Sequence, residues 1–337
     1  MGRKSNGENP ALLQGAVMSS VLVTGAGGFI GRRVVLAASN AGHGVTAIVR
    51  KPSPGSVCSV IQHDLRLPLG NLPTADWVFH LAGAYAGAGD EELRRADWKM
   101  AHNIMDWGLG AGIKNWVFAS AAEVYGEVLG IAGEEAPPQP AIPYGRSKLM
   151  VERLFMEKLK DISNCRVVIF RIGEVYGSEA RLIVELARRL KGGFCPWPGS
   201  GRVPVSFVHV DDVAQAFLCA ARNAPTGISV YNVADDLPVT WEVFLRHSAQ
   251  SCGARPPVFL PKALVYLYAA CSTLARRATG REPILTRHAM RLLTTPKALS
   301  NTRAKRELGF QPGYPSYSEG LKEALHGLSH NAQDGKT

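Results

Sequence analysis

Cysteine is scarce: six residues, at 58, 165, 195, 219, 252 and 271, have neither the density of a disulfide scaffold nor metal-ligand spacing. They read as free thiols in a reducing, cytoplasmic setting, and no metal site is expected. Residues 1–17 lack the apolar core of a secretion signal. They read as a disordered extension, a stretch ahead of an alternative start at Met18, or a remnant foreign to the fold, and 331–337 as a disordered tail. The apolar run 263–271 is too short to span a bilayer. Internal repeats and long low-complexity tracts are missing too. A hydrophobic content of 46% over 337 residues suits a large α/β domain with a smaller lobe.

What is present is more specific. The run Val21-Leu22-Val23-Thr24-Gly25-Ala26-Gly27-Gly28-Phe29-Ile30-Gly31 precedes the helix-like Val34-Val35-Leu36-Ala37-Ala38. A short strand, a glycine turn and an opening helix make a phosphate cradle, because backbone amides and the helix N-terminus face an anion and glycine permits its approach. Gly25, Ala26, Gly27, Gly28, Phe29, Ile30 and Gly31 are therefore candidate nucleotide-binding residues. A second strand over Gly44–Val49 and further βα alternation to about residue 171 predict a parallel, doubly wound sheet with a cofactor at its carboxyl edge. Tyr144 stands one helical turn before Lys148 in Pro143-Tyr144-Gly145-Arg146-Ser147-Lys148. A phenol near pKa 10 is a poor acid-base catalyst at neutral pH unless a cation favours its ionised form, and an i,i+4 lysine supplies one. Pro137, Pro138, Pro140 and Pro143 make the preceding loop an irregular connection that delivers Tyr144 onto its helix.

These motifs occur in an ordered series with Asp76-Trp77-Val78-Phe79-His80-Leu81-Ala82-Gly83, Phe118-Ala119-Ser120, Val124-Tyr125-Gly126, Arg171-Ile172-Gly173-Glu174-Val175-Tyr176-Gly177, Phe207-Val208-His209-Val210-Asp211-Asp212, Tyr231-Asn232-Val233 and Lys305-Arg306-Glu307-Leu308-Gly309-Phe310. The series resembles the extended branch of the short-chain dehydrogenase/reductase superfamily, the NAD(P)-dependent epimerase/dehydratase/reductase group. The resemblance implies a Rossmann domain over 18–177 and a smaller substrate-covering α/β lobe over 178–330, with a return to the main sheet at 205–234. It also implies that Tyr144 and Lys148 are catalytic, and that Asp64, Leu65, Leu81, Ala82, Gly83 and Ile172 join the cofactor site. Where an NAD-preferring site carries a carboxylate after the second strand, this chain has Arg50, which suits a 2′-phosphate. NADP is the expected cofactor, with NAD the alternative.

Several positions depart from the family pattern. Four residues before Tyr125, where the family usually has a serine or threonine that bonds the reacting oxygen, stands Ala121. Ser120, Glu123, a water or a substrate group are the candidate replacements, although neighbouring strand side chains face opposite ways. Asp97 replaces a customary asparagine. Val205 replaces the arginine with which nucleotide-sugar members grip a diphosphate, which argues against such substrates. Ala122 replaces the aspartate of the dehydratase aspartate-glutamate pair, leaving Glu123 as a polar residue lining the substrate site. His209 reads as structural.

Charge is concentrated late. Between 262 and 306 there are ten Lys/Arg against Glu282 alone. With the apolar run, residues 262–281 read either as an interfacial helix contacting lipid or lining an apolar substrate mouth, or as a buried helix with a solvated basic rim. No nucleic-acid motif accompanies the basic stretch. The expected protein is an NADP-dependent oxidoreductase interconverting a carbonyl and an alcohol on a mid-sized, apolar small molecule, with a homodimer as the candidate assembly. A sugar epimerase or dehydratase, and a nucleotide sensor with little turnover, are the alternatives.

Overall fold

The computed structural model describes residues 18–51, 57–84, 90–278 and 287–334. Residues 1–17, 335–337 of the expected tail and 279–281 of the apolar-basic segment lie outside them, as do the side chains of 272–278.

The first half runs β1 (Ser20–Thr24), α1 (Phe29–Asn40), β2 (Gly44–Val49), β3 (Ser59–Gln62), β4 (Trp77–His80), α2 (Asp90–Gly110), β5 (Asn115–Ala121), β6 (Ile131–Ala132), α3 (Pro143–Leu159), β7 (Arg166–Ile172) and β8 (Glu174–Tyr176). The second runs α4 (Arg181–Lys191), β9 (Pro196–Pro198), β10 (Pro204–Val205), β11 (Phe207–His209), α5 (Val210–Asn223), β12 (Gly227–Val233), β13 (Val239–Thr240) and α6 (Trp241–Ser251). It ends with β14 (Val258–Leu260), α7 (Lys262–Ala278), α8 (Arg287–Thr294), β15 (Ala298–Leu299), α9 (Thr302–Leu308) and α10 (Tyr317–Asp334).

Seven parallel strands form the main sheet in the order β12-β7-β5-β4-β1-β2-β3. The chain moves outward from β1 to β2 and β3, then returns to build β4, β5, β7 and β12 on the other side. That reversal opens a crevice at the carboxyl ends of β1 and β4, where doubly wound sheets bind ligands. Both faces of the sheet are covered, so its central strands are apolar on both sides; Val117 and Val168 join the core beneath α1 and α5, while Trp116 and Val167 join the core beneath α2 and α3.

A third core gathers Trp197, Phe207, Trp241 and Phe244 with α4, α6 and Leu321 and Ala324 of α10. Phe207 and Phe244 stack there at a centroid distance of 4.1 Å. Of the segment 205–234 only β12 joins the main sheet, while β11 pairs with β8 and β10 with β13; further on, Ala304, Leu308 and Phe310 bury in the main core. One small pairing matters for function: β15 pairs with β6, and Lys297 just before it bridges to Val205. This seats residue 297 beside the segment that leaves β5.

Candidate active site

The glycine turn between β1 and α1 is built by backbone proximity. A Cβ on Gly31 would lie 2.1 Å from the Gly25 carbonyl oxygen, and one on Gly25, at φ +69°, would lie 2.6 Å from the Ala82 nitrogen. Neither position has room for a side chain. Gly28 N donates to Gly25 O at 2.9 Å, and α1 then starts at Phe29 with no side chain capping it and no acidic residue in its first turn. An uncapped helix start beside a turn too tight for Cβ atoms fits a nucleotide's pyrophosphate. Leu81, Ala82 and Gly83 follow β4 across the crevice; Leu81 N donates to Thr24 O and Ala82 N to Thr24 Oγ1. Arg50 is exposed just past β2. Asp64 sits beyond β3 with its carboxylate held by Arg66 at 2.6 Å, which pulls its pKa down to about 2. Leu65 beside it is buried, and its carbonyl accepts from Asn103 Nδ2 at 2.8 Å. Ile172 ends β7 opposite Ala121.

Proline at the start of α3 pre-sets the first helical turn, and Tyr144 and Lys148 then project one turn apart. The Lys148 ammonium lies 5.7 Å from the Tyr144 ring centroid and donates to Ala119 O at 3.1 Å. A Cβ on Gly83 would come within 3.0 Å of that ammonium, so the Lys148 tip reaches the mouth of the crevice. Burial lowers the Lys148 pKa, while Asp97, Glu123 and Glu152 work against the shift. Tyr144 goes the other way: burial raises its pKa, and Glu123, Asp97 and Glu174 raise it further. Lys148 lies beside the phenol, while burial and these carboxylates oppose the ionisation that its charge favours.

The expectation for Ser120 is corrected. Its hydroxyl donates to Glu152 Oε1 at 2.5 Å, on the α3 face of β5, and Glu152 also receives Arg171 at 2.8 Å in an almost fully buried ion pair. A hydroxyl committed to that cluster does not replace the donor missing at Ala121. Ala121 is 5% exposed and ends β5 as the 3-10 turn Ala122–Val124 begins. Asp97 fills its position productively, accepting from Ala84 N and from Ser147 Oγ at 2.7 Å. His209 is buried, accepts from Asp211 N at the start of α5 and meets Glu323 at 3.0 Å, a structural placement.

Glu123 does line the region next to Tyr144. Its carbonyl is packed so closely on α3 that a Cβ at Gly145 would be 2.2 Å from it. Its carboxylate is bound by Lys297 Nζ at 2.5 Å, and the same ammonium binds Glu174 at 2.8 Å. Burial by itself would lower the Lys297 pKa, but Glu123 and Glu174 outweigh it and keep the ammonium charged. Sequence reasoning missed this group by counting Lys297 among the surface cations of the basic stretch. The only available signal was the carboxylate pair, Glu123 and Glu174, each placed just after a strand that ends at the crevice.

The α7 segment exposes Leu264, Leu267, Tyr266 and Tyr268 around buried Val265 and Ala269, with Tyr268 edge-on to Phe194 at 6.2 Å. No described helix is long and apolar enough to cross a membrane. A cavity of about 760 Å³ along the outer face of α3, lined by Trp98, Arg146 and Met150 among others, touches neither Tyr144 nor Lys148.

Residues 21–234 match the model of the NAD dependent epimerase/dehydratase family. The chain is 28% identical over 319 residues to the 3-diazoavenalumate denitrifying reductase of Streptomyces sp, covering 89% of this chain and 98% of that protein. It is 26% identical over 318 residues to the 4-hydroxy-2-methyl-3-oxo-4-farnesyl-3,4-dihydroquinoline-1-oxide ketoreductase of Stigmatella aurantiaca, covering 89% and 93%. Among solved structures, MoeE5 in complex with UDP-glucuronic acid and NAD has a TM-score of 0.74 at 26% identity, over 93% of this chain and 99% of that one.

Proposed function

The chain belongs to the NAD dependent epimerase/dehydratase family and is an enzyme of nicotinamide chemistry, and within that family we propose that it is an NADPH-dependent reductase of a ketone or aldehyde. The observation that carries this reading is the Tyr144 phenol on the first turn of α3, with the Lys148 ammonium one turn on and 5.7 Å from its ring. A neutral phenol donates a proton, which is what a carbonyl oxygen needs as it becomes an alcohol. A bound nicotinamide nucleotide supplies the hydride. The glycine turn would hold the pyrophosphate, Arg50 would take the 2′-phosphate, and Lys148 would hold the ribose while steadying the charge left on Tyr144 when its proton departs. Solvent then reprotonates the phenol. Val205, fully buried where a diphosphate-gripping arginine is customary in nucleotide-sugar members, supports a less polar substrate.

Epimerisation of a nucleotide sugar is the second reading, favoured by the likeness to MoeE5 with its bound UDP-glucuronic acid. One experiment separates the two: absorbance of NADPH is followed against a panel of ketones, sterols and nucleotide sugars. Net cofactor consumption with a ketone is the expected result. Isomerised sugar with no net consumption, on tightly retained NAD, would overturn it.

A further inference from the structure

Glu123, Glu174 and Lys297 come from three separate segments: the turn after β5, the first residue of β8, and the residue before β15. Lys297 is 3% exposed, against 12% for Glu123 and 27% for Glu174, so the cation is innermost and the anions reach outward. Backbone bonds fix the lysine's segment: Lys297 N donates to Pro204 O at 3.0 Å and Lys297 O accepts from Ser206 N at 3.2 Å. A narrow cleft lies against the group, bounded by Glu123, Ala141, Ile142, Leu292, Thr295 and Lys297. Such an arrangement is poor material for stability alone, because a buried ion pair recovers little beyond its desolvation cost.

We propose that Lys297 is a positioning residue for the proton donor: it draws the Glu123 and Glu174 carboxylates together, with Glu123 packed against Gly145 in the turn of α3 that carries Tyr144. The inference rests on the carbonyl-reductase reading of the site. Four charged groups bear on the phenol, namely Lys148 on its own helix, Asp97 on α2, Glu123 after β5 and Glu174 on β8. At the rim of the cleft, Arg146 of α3 and Arg291 of α8 both donate to Ala141 O. Two carboxylates that share one ammonium cannot both stay ionised once it is removed, since like charges at close range force one to take up a proton.

The test is the pH profile of ketone reduction in the full-length protein, with the parent, Lys297→Met and Lys297→Arg. Lys297→Met is expected to gain one ionisation step between pH 6 and 9 that the parent lacks, with kcat falling about tenfold as pH rises through it, because a phenolate must then form beside two uncompensated anions. Lys297→Arg should restore the parental profile. Carbon-13 NMR of the carboxyl groups reads the same step without turnover. The step seen by NMR in a protein that reduces no ketone would sink the reductase reading and keep this one. Ketone reduction with no extra step by either readout would overturn the role of Lys297. Should Lys297→Met fail to fold, Glu174→Gln serves instead, since it leaves Lys297 paired with Glu123. Removing one anion from the phenol should speed alcohol oxidation at pH 9 about tenfold through kcat, and an equal loss in both directions would mark the group as structural only.

Discussion

Ser120 and Glu152 are joined by a 2.5 Å hydrogen bond across the contact between β5 and α3, and the bond decides what Ser120 does. Glu152 is fully buried and already paired with Arg171, whose guanidinium lies over the Tyr125 ring at 4.6 Å. The serine hydroxyl completes a charged network inside the core. Ser120→Ala is therefore expected to lower stability by about 1–3 kcal/mol, the cost of leaving a buried acceptor short of a partner. Denaturant unfolding measures this, and KM and kcat of the folded fraction should stay at parental values.

Tyr144→Phe is expected to reduce kcat for ketone reduction by about 10²–10⁴-fold, the usual range for one general acid. Nucleotide affinity should remain, because the phenol acts on the reacting oxygen. Lys148→Met should damage both, as the ammonium sits at the Gly83 mouth of the crevice as well as beside the phenol. Calorimetric titration with NADPH alongside initial rates checks the split. A phenylalanine variant as fast as its parent would require another acid.

Arg50→Asp should reverse cofactor preference. The substitution removes the cation available to a 2′-phosphate and supplies an acceptor for free ribose hydroxyls, and losing two charge-assisted bonds costs roughly 3 kcal/mol. Dissociation constants for NADP and NAD in both proteins provide the measurement, and equal affinities in the parent would refute the assignment.

The glycine turn and the Tyr144/Lys148 pair were legible in the sequence because each is local: a strand, a turn and a helix in succession, or two residues one helical turn apart. The parallel sheet was legible for the same reason, from βα alternation. Long-range placement was not. Nothing near Lys297 in the chain shows that it bridges to Val205 and reaches Glu123 and Glu174, 174 and 123 residues away. Ser120 failed on orientation, since strand alternation turned it toward α3 while its neighbour Ala121 took the end of the strand.

His80 makes the protein sensitive to acid. It is fully buried, bonded to Thr24 Oγ1 at 2.8 Å and packed against the mutually stacked rings of Phe118 and Phe155, and burial, then the Lys148 charge, lowers its pKa to about 3. The unfolded chain binds a proton at this residue below about pH 6.5, while the folded chain does not until about pH 3. Its contribution is thus fully present above pH 6.5 and is lost as pH falls toward 3. Between pH 7 and pH 5 the loss is about 2 kcal/mol. His80→Gln should flatten that slope by this amount in urea unfolding at the two pH values, whatever its effect at pH 7.

Ala121→Ser restores a hydroxyl at the end of β5, where the family resemblance puts the donor to the reacting oxygen. With Ser120 committed to Glu152, no neighbouring hydroxyl on β5 supplies that bond. On a simple unhindered ketone the added donor should raise kcat, by up to about 10²–10³-fold if it reaches the developing oxyanion in good geometry. The opposite result is expected for a larger substrate that fills the space over the methyl group: Ala121 is only 5% exposed, so a hydroxyl there would be crowded or unpaired, at a cost of roughly 1–3 kcal/mol. Steady-state rates for a small and a bulky ketone on the one variant measure both effects. Identical rates on every substrate would mean that residue 121 does not face the reacting oxygen, and the site would then have to be rebuilt around the Glu123 side of the turn.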